Sequence, residues 1–262
     1  MDLARISRIP KRLKDDFKIF RLAKNWREIL WAKLNRKAIN KVELRNGVVL
    51  NSPEEVALEF LFHEIWIDEF YAPAGYEIKA NHNVIDIGAN IGVFALWAAT
   101  RAPGVKVWSC EPFPQNAAYF ETNKRESKVD NIEFYPVAVA DLEGKRILHV
   151  DDRWILHSLT DKNSDENGLE VDCVSVDRLL SDIDRCDLMK LDCEGGEYEI
   201  LYAASPESLR KIRRLVCEFN EFDKDKRNGR ALGEFLIAAG FTVEGFNMLG
   251  RDCGFLCASR TH

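Results

Sequence analysis

The segment VIDIGANIG (84–92) contains residue types with which proteins bind nucleotide-like ligands. Asp86 lies within the end of an apolar strand pattern, directly before the entry to an apolar helix. The turn between the two elements contains Gly88, Ala89, Asn90 and Gly92. Glycines at such a turn let the backbone approach a ligand closely. We therefore expect a ligand outside the carboxyl end of this strand, at the point where the strand order of a sheet reverses.

The spacing of these glycines argues against a dinucleotide such as NAD or FAD. The dinucleotide fingerprint requires G-x-G-x-x-G, and its three glycine positions hold Gly88, Asn90 and Val93 here. An acid two residues before the first glycine is a poor neighbour for a pyrophosphate, whereas it suits an ammonium group. The turn therefore predicts a ligand that is cationic at one end.

A second carboxylate, Glu111, ends the next predicted strand in WSCEP and lies 23 residues after Gly88. A carboxylate at this place can accept hydrogen bonds from both ribose hydroxyls of an adenosine. One acid for an amino group and one for a ribose together predict S-adenosylmethionine as the ligand. The alternative interpretation is a structural glycine turn with two solvated acids.

From about residue 80 onward, strand patterns alternate with helical patterns. The strand patterns include NVIDIG, KVWSCE, IEFYPVAV, DLMKLD and IRRLVCEF. This alternation predicts an α/β fold with a doubly wound, mostly parallel, seven-stranded sheet of the Rossmann-like kind. The final strands, in FTVEGFNM and GFLCASR, are joined by too few residues for a crossover, so we expect this pair to be antiparallel.

Residues 1–80 are predicted to form an N-terminal cap of a basic helix, a hairpin and a further helix, followed by the ligand-binding domain over 81–262. Residues 1–40 contain twelve Lys or Arg against four Asp or Glu, whereas the remainder has a charge balance of −14. Apolar side chains recur at helical spacing in this segment: Ile6, Ile9, Leu13, Phe17 and Phe20. We expect this stripe to pack on the main domain or on a second subunit of a homodimer. Weak contact with a membrane surface is the alternative.

Composition excludes several classes of protein. A chain of 262 residues with 46% hydrophobic and 31% charged residues is typical of a folded globular protein. No apolar run reaches the roughly 18 residues of a membrane span, and no secretory signal is recognisable, so we expect a cytoplasmic protein. A net charge of −6 disfavours nucleic acid as a partner. Scattered cysteines and histidines indicate reduced thiols and no zinc site.

Residues from about 80 to 220 resemble the FkbM-type methyltransferase family. The stretches that carry the resemblance are VIDIGANIGVFALWAA, EPFPQNAAYFETN, NIEFYPVAVADLEGK, HSLTD and VDRLLSDIDRCDLMKLDCEGGEYEILYAA. The resemblance implies the class I methyltransferase fold, S-adenosylmethionine as cofactor, and O-methylation in natural-product and glycan pathways. It also implies that Asp86, Gly88, Asn90 and Gly92 hold the methionine part and that Glu111 holds the ribose. Ala138 and Asp141 would lie near the adenine, and His157 near the acceptor as a general base.

The segment KLDCEGGE (190–197) follows the fourth predicted parallel strand and should lie beside the transferred methyl group. Strand alternation sends Lys190, Asp192 and Glu194 to one side. Asp192 is the first candidate for a catalytic or acceptor-orienting carboxylate, and Glu194 is the second. Lys190 is expected to pair with an acid, since it would otherwise stay protonated.

Glu218 and Asn220 end the next strand at the same edge of the sheet. Together with Asp192 they could form an oxygen-rich cluster suited to Mg²⁺. The alternative is that these acids hydrogen-bond the loops at the strand ends, and on that interpretation no metal is expected.

The residues predict an S-adenosylmethionine-dependent methyltransferase, and the resemblance to the FkbM-type family implies that it acts on a hydroxyl of a sugar, glycan precursor or secondary metabolite. A nucleic-acid amino-methyltransferase would carry an Asn- or Asp-Pro-Pro-aromatic motif after the fourth strand. This chain has LDCEGG there, which disfavours that class. Two alternatives stay open. One is an N-methyltransferase acting on a small amine, and the other is a catalytically silent cofactor-binding protein in which the basic helix mediates assembly.

Overall fold

The computed structural model describes residues 10–54, 56–150, 157–158, 168–193 and 195–260. The strands in chain order are β1 (Lys41–Glu43), β2 (Val49–Asn51), β3 (Asn83–Ile87), β4 (Lys106–Cys110), β5 (Ile132–Tyr135), β6 (Ala138–Ala140), β7 (Gly144–Val150), β8 (His157–Ser158), β9 (Gly168–Ser175), β10 (Leu188–Leu191), β11 (Arg214–Asn220), β12 (Thr242–Met248) and β13 (Cys253–Ser259). The α-helices are α1 (Lys11–Leu22), α2 (Trp26–Asn35), α3 (Leu58–Phe62), α4 (Val93–Ala99), α5 (Pro114–Ser127), α6 (Val176–Leu179), α7 (Glu197–Ala203), α8 (Pro206–Lys211) and α9 (Gly229–Ala238). A π-helix (His63–Ile67) continues α3.

The central sheet has seven strands in the order β12-β13-β11-β10-β3-β4-β5. The strands β11, β10, β3, β4 and β5 are parallel to their neighbours in this series, while β13 is antiparallel to both β11 and β12. The prediction of a mostly parallel, Rossmann-like sheet with an antiparallel final pair is confirmed. The chain leaves β3 toward β4 on one side and later returns to β10 on the other. The order therefore reverses between β3 and β10, where ligands of such sheets bind.

Apolar clusters cover both faces of this sheet. On one face, all seven residues of α4 are buried, because VFALWAA is apolar around its whole circumference. On the other face, Tyr198 and Leu201 of α7 pack with Leu232 and Leu236 of α9. These layers hold the carboxyl ends of β3 and β10 in fixed positions, and those ends form the floor of the site described below.

The segment IEFYPVAV forms two strands rather than the single strand that its pattern indicates. Pro136 separates β5, which pairs with β4, from β6, which pairs with β9 in a different sheet of order β6-β9-β7-β8. Proline has no N–H to donate to a continuing strand ladder, so it permits this change of sheet. The change places Val137, Ala138 and Val139 beside the carboxyl ends of the central strands.

Of the two predicted partners of the N-terminal apolar stripe, the main domain is wrong for the described residues of the stripe, and a second subunit stays a prediction. Leu13, Phe17 and Phe20 of α1 are exposed, whereas the opposite side of the helix, with Asp15 and Ile19, is buried. Polar contacts anchor that side: Lys18 Nζ donates to the Ile67 carbonyl oxygen (2.5 Å), and His63 Nε2 lies 3.4 Å from Asp15. Ile6 and Ile9 lie outside the described residues. Within the residues that the structure describes, no helix has the length and apolarity to cross a bilayer.

The predicted hairpin is confirmed, with β1 and β2 antiparallel around Gly47. It is tied to the sheet domain because Asn123 Oδ1 of α5 accepts the backbone N–H of Asn51 (2.7 Å). One apolar cluster runs from Val42 of the hairpin to Val107 of the central sheet. The division of the chain at residue 80 stays a prediction, and residues from both sides of it line the same cavity.

Candidate active site

A cavity of about 360 Å³ opens at the carboxyl ends of the central strands. This volume lies within the range of small-molecule sites, and the location is the expected reversal of strand order. Its walls come from the N-terminal cap, the glycine turn, both sheets and the final strands: Phe60, Leu61, Glu64, Ile65, Tyr71, Ile87, Gly88, Ala89, Asn90, Val93, Phe94, Cys110, Glu111, Pro112, Asn116, Val137, Ala138, Val139, Leu148, Lys190, Asp192, Cys193, Glu218, Leu249 and Cys253.

The two glycines of the turn are required by the protein's own packing. At Gly88 (φ +77°) an added Cβ would lie 1.7 Å from the carbonyl oxygen of Asp192, where β3 and β10 converge. At Gly92 (φ +86°) an added Cβ would lie 2.8 Å from the ring of Phe120. Gly88, Ala89 and Asn90 line the cavity, whereas Gly92 does not belong to its wall. The lack of a side chain at Gly88 therefore allows the ends of β3 and β10 to approach each other closely.

We expect Gly88→Ala to lower the free energy of unfolding by at least about 2 kcal/mol, since it combines left-handed backbone strain with overpacking. Gly47→Ala is the matched control, because Gly47 also has a positive φ (+99°) but no atom within 4 Å of its added Cβ. Urea unfolding of both variants measures the difference. Equal losses in the two variants would contradict the close strand approach.

Glu111 is a buried carboxylate on the cavity wall. Its Oε2 accepts the backbone N–H of Asn90 (2.8 Å) and its Oε1 accepts that of Phe113 (3.0 Å). Burial raises the pKa of Glu111 to about 7, and these two backbone hydrogen bonds oppose the rise. The Asn116 side chain is a third hydrogen-bond donor to this carboxylate and also opposes the rise of its pKa. Of the roughly four lone-pair positions of a carboxylate, one is left for a further donor, such as a ribose hydroxyl.

Asp86 lies behind the cavity wall rather than on it. The side chain is completely buried, and Lys190 Nζ lies 3.1 Å from its Oδ1. The physical reason is strand register, which places Lys190 directly opposite Asp86 in the β3–β10 pair. The predicted contact of Asp86 with a ligand therefore has no support from this geometry. The predicted pairing of Lys190 with an acid is confirmed.

Lys190 joins Asp86 to the cavity. Its Nζ donates to the Gly88 carbonyl oxygen (2.9 Å) and lies 3.5 Å from Asp192 Oδ2. Burial alone would lower the pKa of Lys190, but the Asp86 and Asp192 carboxylates outweigh it and raise the pKa above its ordinary value. Lys190 is therefore a fixed cation under the floor of the site.

Three carboxylates on the cavity wall, Glu64, Asp192 and Glu218, form an acid cluster. Tyr71 Oη donates to Asp192 Oδ2 (2.8 Å) and lies 3.4 Å from Glu218 Oε2. Burial raises the pKa of Glu218 to about 8, and the charges of Asp192 and Glu64 add to the rise. Burial and Asp192 likewise raise the pKa of Glu64 to about 7. Since Lys190 is already paired with Asp86, this end of the cavity favours a cation.

The family model "Methyltransferase FkbM domain" matches residues 86–257, which is more than half of the chain and includes most of the cavity wall. The chain belongs to the FkbM methyltransferase family. The resemblance in the sequence is confirmed, and S-adenosylmethionine is the cofactor of this family's chemistry.

Among similar proteins, 31-O-demethyl-FK506 methyltransferase FkbM from Streptomyces tacrolimicus is 27% identical over 242 residues, covering 78% of this chain and 90% of the relative. AMB antimetabolite synthetase AmbE from Pseudomonas aeruginosa is 25% identical over 230 residues, and the alignment covers 71% of this chain but only 11% of AmbE. The crystal structure of an rRNA methylase from Streptococcus thermophilus aligns with a TM-score of 0.46 at 13% identity, covering 76% of this chain and 96% of that chain.

Some of the remaining predicted site residues line the cavity, and others do not. Ala138 and Asp192 line the cavity, as expected. Asp141 does not, because it pairs with Arg146 on β7. For His157 the structure describes the backbone, which pairs with Val150 between β7 and β8. Glu194 lies outside the described residues.

The predicted oxygen-rich cluster is only partly assembled. Asp192 and Glu218 share Tyr71 as a neighbour, but the backbone N–H of Asn220 donates to Glu197 Oε1 (2.8 Å), and Asn220 is not on the cavity wall. In the described part of the chain, no group of three His, Cys, Asp or Glu has the geometry to hold a metal ion.

Sequence reasoning missed Glu64 and the role of Glu197. Glu64 lies in the π-helix, whose wider turn is common at functional sites but has no sequence pattern of its own. Glu197 is completely buried and also accepts the backbone N–H of Gly195 (2.8 Å), so it clamps the loop after β10 to the end of β11. Tyr71, from the cap segment, also lines the cavity and donates to Asp192.

Proposed function

We propose that this FkbM domain transfers a methyl group from S-adenosylmethionine to a hydroxyl of a sugar, glycan precursor or secondary metabolite. The observation that carries the proposal is the position of Glu218 on the cavity wall, in the same cavity as Glu111, with its pKa raised to about 8. A carboxylate whose pKa lies near the operating pH is suited to take a proton from a hydroxyl. The name of the Streptomyces tacrolimicus relative, which describes O-methylation of a small molecule, supports the same reaction class.

The cavity residues fit the cofactor from end to end. The Glu111 carboxylate can accept a ribose hydroxyl, since its three protein donors leave about one lone-pair position. Val137, Ala138 and Val139 offer an apolar wall for the adenine. The acid cluster offers negative charge for the ammonium and sulfonium groups. In this proposal Asp86 acts as a positioning residue through Lys190 and does not touch the cofactor.

The bound cofactor supplies an activated methyl group, so the chain must supply proximity, alignment and a proton acceptor. Glu218 takes the proton of the acceptor hydroxyl. Asp192 orients the acceptor and is itself held in place by the Tyr71 hydroxyl and by Lys190 Nζ. The apolar side chains of Phe60, Leu61 and Ile65 on the cap side exclude water from the reacting groups.

A small amine is the second candidate acceptor. The observation that favours it is the surplus of carboxylates over cations in the acid cluster, which would attract an ammonium group. Methylation of an amine would use the same proton acceptor, because the attacking nitrogen must first lose a proton.

Labelled-methyl transfer tests the proposal and separates the candidates. Purified protein, S-adenosylmethionine with a labelled methyl group, and fractionated extracts of glycans and secondary metabolites are incubated, and labelled products are identified by mass spectrometry. Products with a methyl ether support the O-methyltransferase, and products with a methylated nitrogen support the second candidate. Tight binding of S-adenosylhomocysteine without any transfer would contradict both and would favour the silent cofactor-binding protein.

Glu111→Gln is expected to weaken S-adenosylhomocysteine binding by at least about tenfold, since hydrogen bonds from hydroxyls to a charged acceptor are replaced by weaker ones to an amide. Isothermal titration calorimetry measures the change. Glu170→Gln is the matched control, because Glu170 pairs with Lys145 at the surface away from the cavity wall, and it should leave the affinity within about twofold. Equal affinity of Glu111→Gln and the unaltered chain would refute the ribose assignment.

Asp192→Asn is expected to raise KM for the acceptor by about tenfold while lowering kcat less, since an orienting contact is weakened and the proton acceptor is retained. Steady-state kinetics with the acceptor found above measures both constants. A change confined to kcat would show instead that Asp192 takes part in the chemical step.

A further inference from the structure

Five large apolar side chains on α1 and α2 are exposed, and together they form the N-terminal apolar face. The exposed fractions are 57% for Leu13, 59% for Phe17 and 44% for Phe20 on α1, and 57% for Trp31 and 67% for Leu34 on α2. Leu13, Phe17 and Phe20 follow each other at helical spacing and share one side of α1. The buried Ile19 lies on the other side, so α1 is apolar on two faces, and the main domain covers one of them.

Ring contacts connect the two helices of this face. Phe17 and Phe20 lie 6.3 Å apart between ring centroids, and Phe20 meets Trp26 at the start of α2 edge to face at 5.1 Å. Trp31 lies further along α2. Phe17, Phe20 and Trp26 therefore form a connected aromatic surface across the two helices, and connected apolar surface marks a contact site.

The helices that carry this face are rich in cations. Exposed or half-buried basic residues on or beside the two helices are Arg12, Lys14, Arg21, Lys24 and Arg27. Of the nearby acids, Asp16 pairs with Lys33 (2.8 Å), Asp15 is buried beside His63, and Glu28 is exposed. The remainder of the chain beyond residue 40 has a charge balance of −14. The exposed cations beside this face therefore outnumber the exposed acids, which suits an anionic partner.

The same charges argue against a second copy of the chain as the partner. In a two-fold dimer this face would meet itself, and the like charges of both basic rims would oppose each other. An apolar strip of leucine and aromatic side chains with basic flanks matches helices that lie in the headgroup region of anionic lipid bilayers.

We propose that the N-terminal apolar face docks this protein on the surface of an anionic lipid membrane. Leu13, Phe17 and Phe20 enter the boundary between headgroups and acyl chains, while Arg12 and Arg21 contact anionic headgroups. The helix is held on the body of the protein, because Lys18 Nζ donates to the Ile67 carbonyl oxygen and Lys11 Nζ pairs with Asp68 (3.1 Å). The proposal does not depend on the methyl acceptor.

Vesicle sedimentation tests the proposal with the full chain. We expect the protein to sediment with vesicles of phosphatidylcholine and phosphatidylserine but not with phosphatidylcholine alone, and to be released by high salt. The double variants Phe17→Ser/Phe20→Ser and Arg12→Gln/Arg21→Gln should each weaken binding by more than about tenfold. Leu142→Ser is the matched control, because Leu142 is 66% exposed outside this face, and it should bind like the unaltered chain.

Thermal unfolding of each variant must match that of the unaltered chain, which excludes misfolding as the cause of lost binding. Equal sedimentation with neutral and anionic vesicles, or unchanged binding of both double variants, would overturn the proposal. So would a dimer in sedimentation velocity that Phe17→Ser/Phe20→Ser converts to a monomer, since the face would then be occupied by a second copy.

Discussion

Glu218→Gln is expected to lower kcat for methyl transfer by about 10²–10⁴-fold, the usual loss when a positioned proton acceptor is removed. Glutamine keeps the size and polarity of the side chain, so the shape of the cavity should change little. Single-turnover measurement with the labelled cofactor gives the rate of the chemical step. Glu207→Gln on α8, an exposed glutamate, is the matched control. A rate within about threefold of the unaltered enzyme would exclude Glu218 as the proton acceptor.

The same variant should alter two pH profiles. Because Glu218 must be ionised to accept a proton, kcat/KM should rise with pH toward about 8 and then level off, and this limb should disappear in Glu218→Gln. The pKa of Glu218 is higher in the folded chain (about 8) than its ordinary value of 4.5. Its contribution to stability is therefore complete below about pH 4.5 and is lost as pH rises through about 8. Urea unfolding of the cofactor-free protein at several pH values measures this loss. The free energy of unfolding should fall less steeply between about pH 4.5 and 8 in Glu218→Gln than in the unaltered chain.

Lys190→Met is expected to lower the free energy of unfolding by about 3–5 kcal/mol, because it leaves the completely buried Asp86 carboxylate without its cation. Urea unfolding measures the loss. The double variant Lys190→Met/Asp86→Leu removes both charges and should recover most of the stability, since an apolar pair of similar volume can replace a buried ion pair.

Lys145→Met is the matched control for this prediction, because Lys145 pairs with Glu170 at the surface (2.6 Å) and such pairs contribute less than about 1 kcal/mol. A loss in Lys190→Met no larger than in Lys145→Met would show that the Asp86–Lys190 pair is not a structural ion pair. A double variant no more stable than Lys190→Met would show that another contact of Lys190 carries its effect.

The sheet and the location of the site could be predicted from sequence because both depend on local patterns. Strand–helix alternation gives the parallel sheet, and the short final connection gives the antiparallel pair. Glu111 ends a strand in an unambiguous pattern, and the structure places it on the cavity wall. Asp192 and Lys190 point to the same side of the sheet because side chains alternate along a strand. Lys190 Nζ lies 3.5 Å from Asp192 Oδ2.

Features that depend on contacts between distant segments could not be predicted. The burial of Asp86 follows from its register opposite Lys190, which lies 104 residues later in the chain. Glu64 reaches the cavity because a π-helix follows α3, and no periodicity signals that change. The sequence shows the stripe of Leu13, Phe17 and Phe20 on α1, but the buried side is the one with Asp15 and Ile19, which has polar contacts to a distant segment that the sequence pattern does not show.

The most direct measurement is a crystal structure of the protein with S-adenosylhomocysteine. We expect the ribose within hydrogen-bond distance of the Glu111 carboxylate and the homocysteine amino group at the acid cluster. Asp86 should remain paired with Lys190, without contact to the ligand. A nucleoside bound elsewhere, or one whose ribose does not contact Glu111, would contradict the assignment of this cavity to the cofactor.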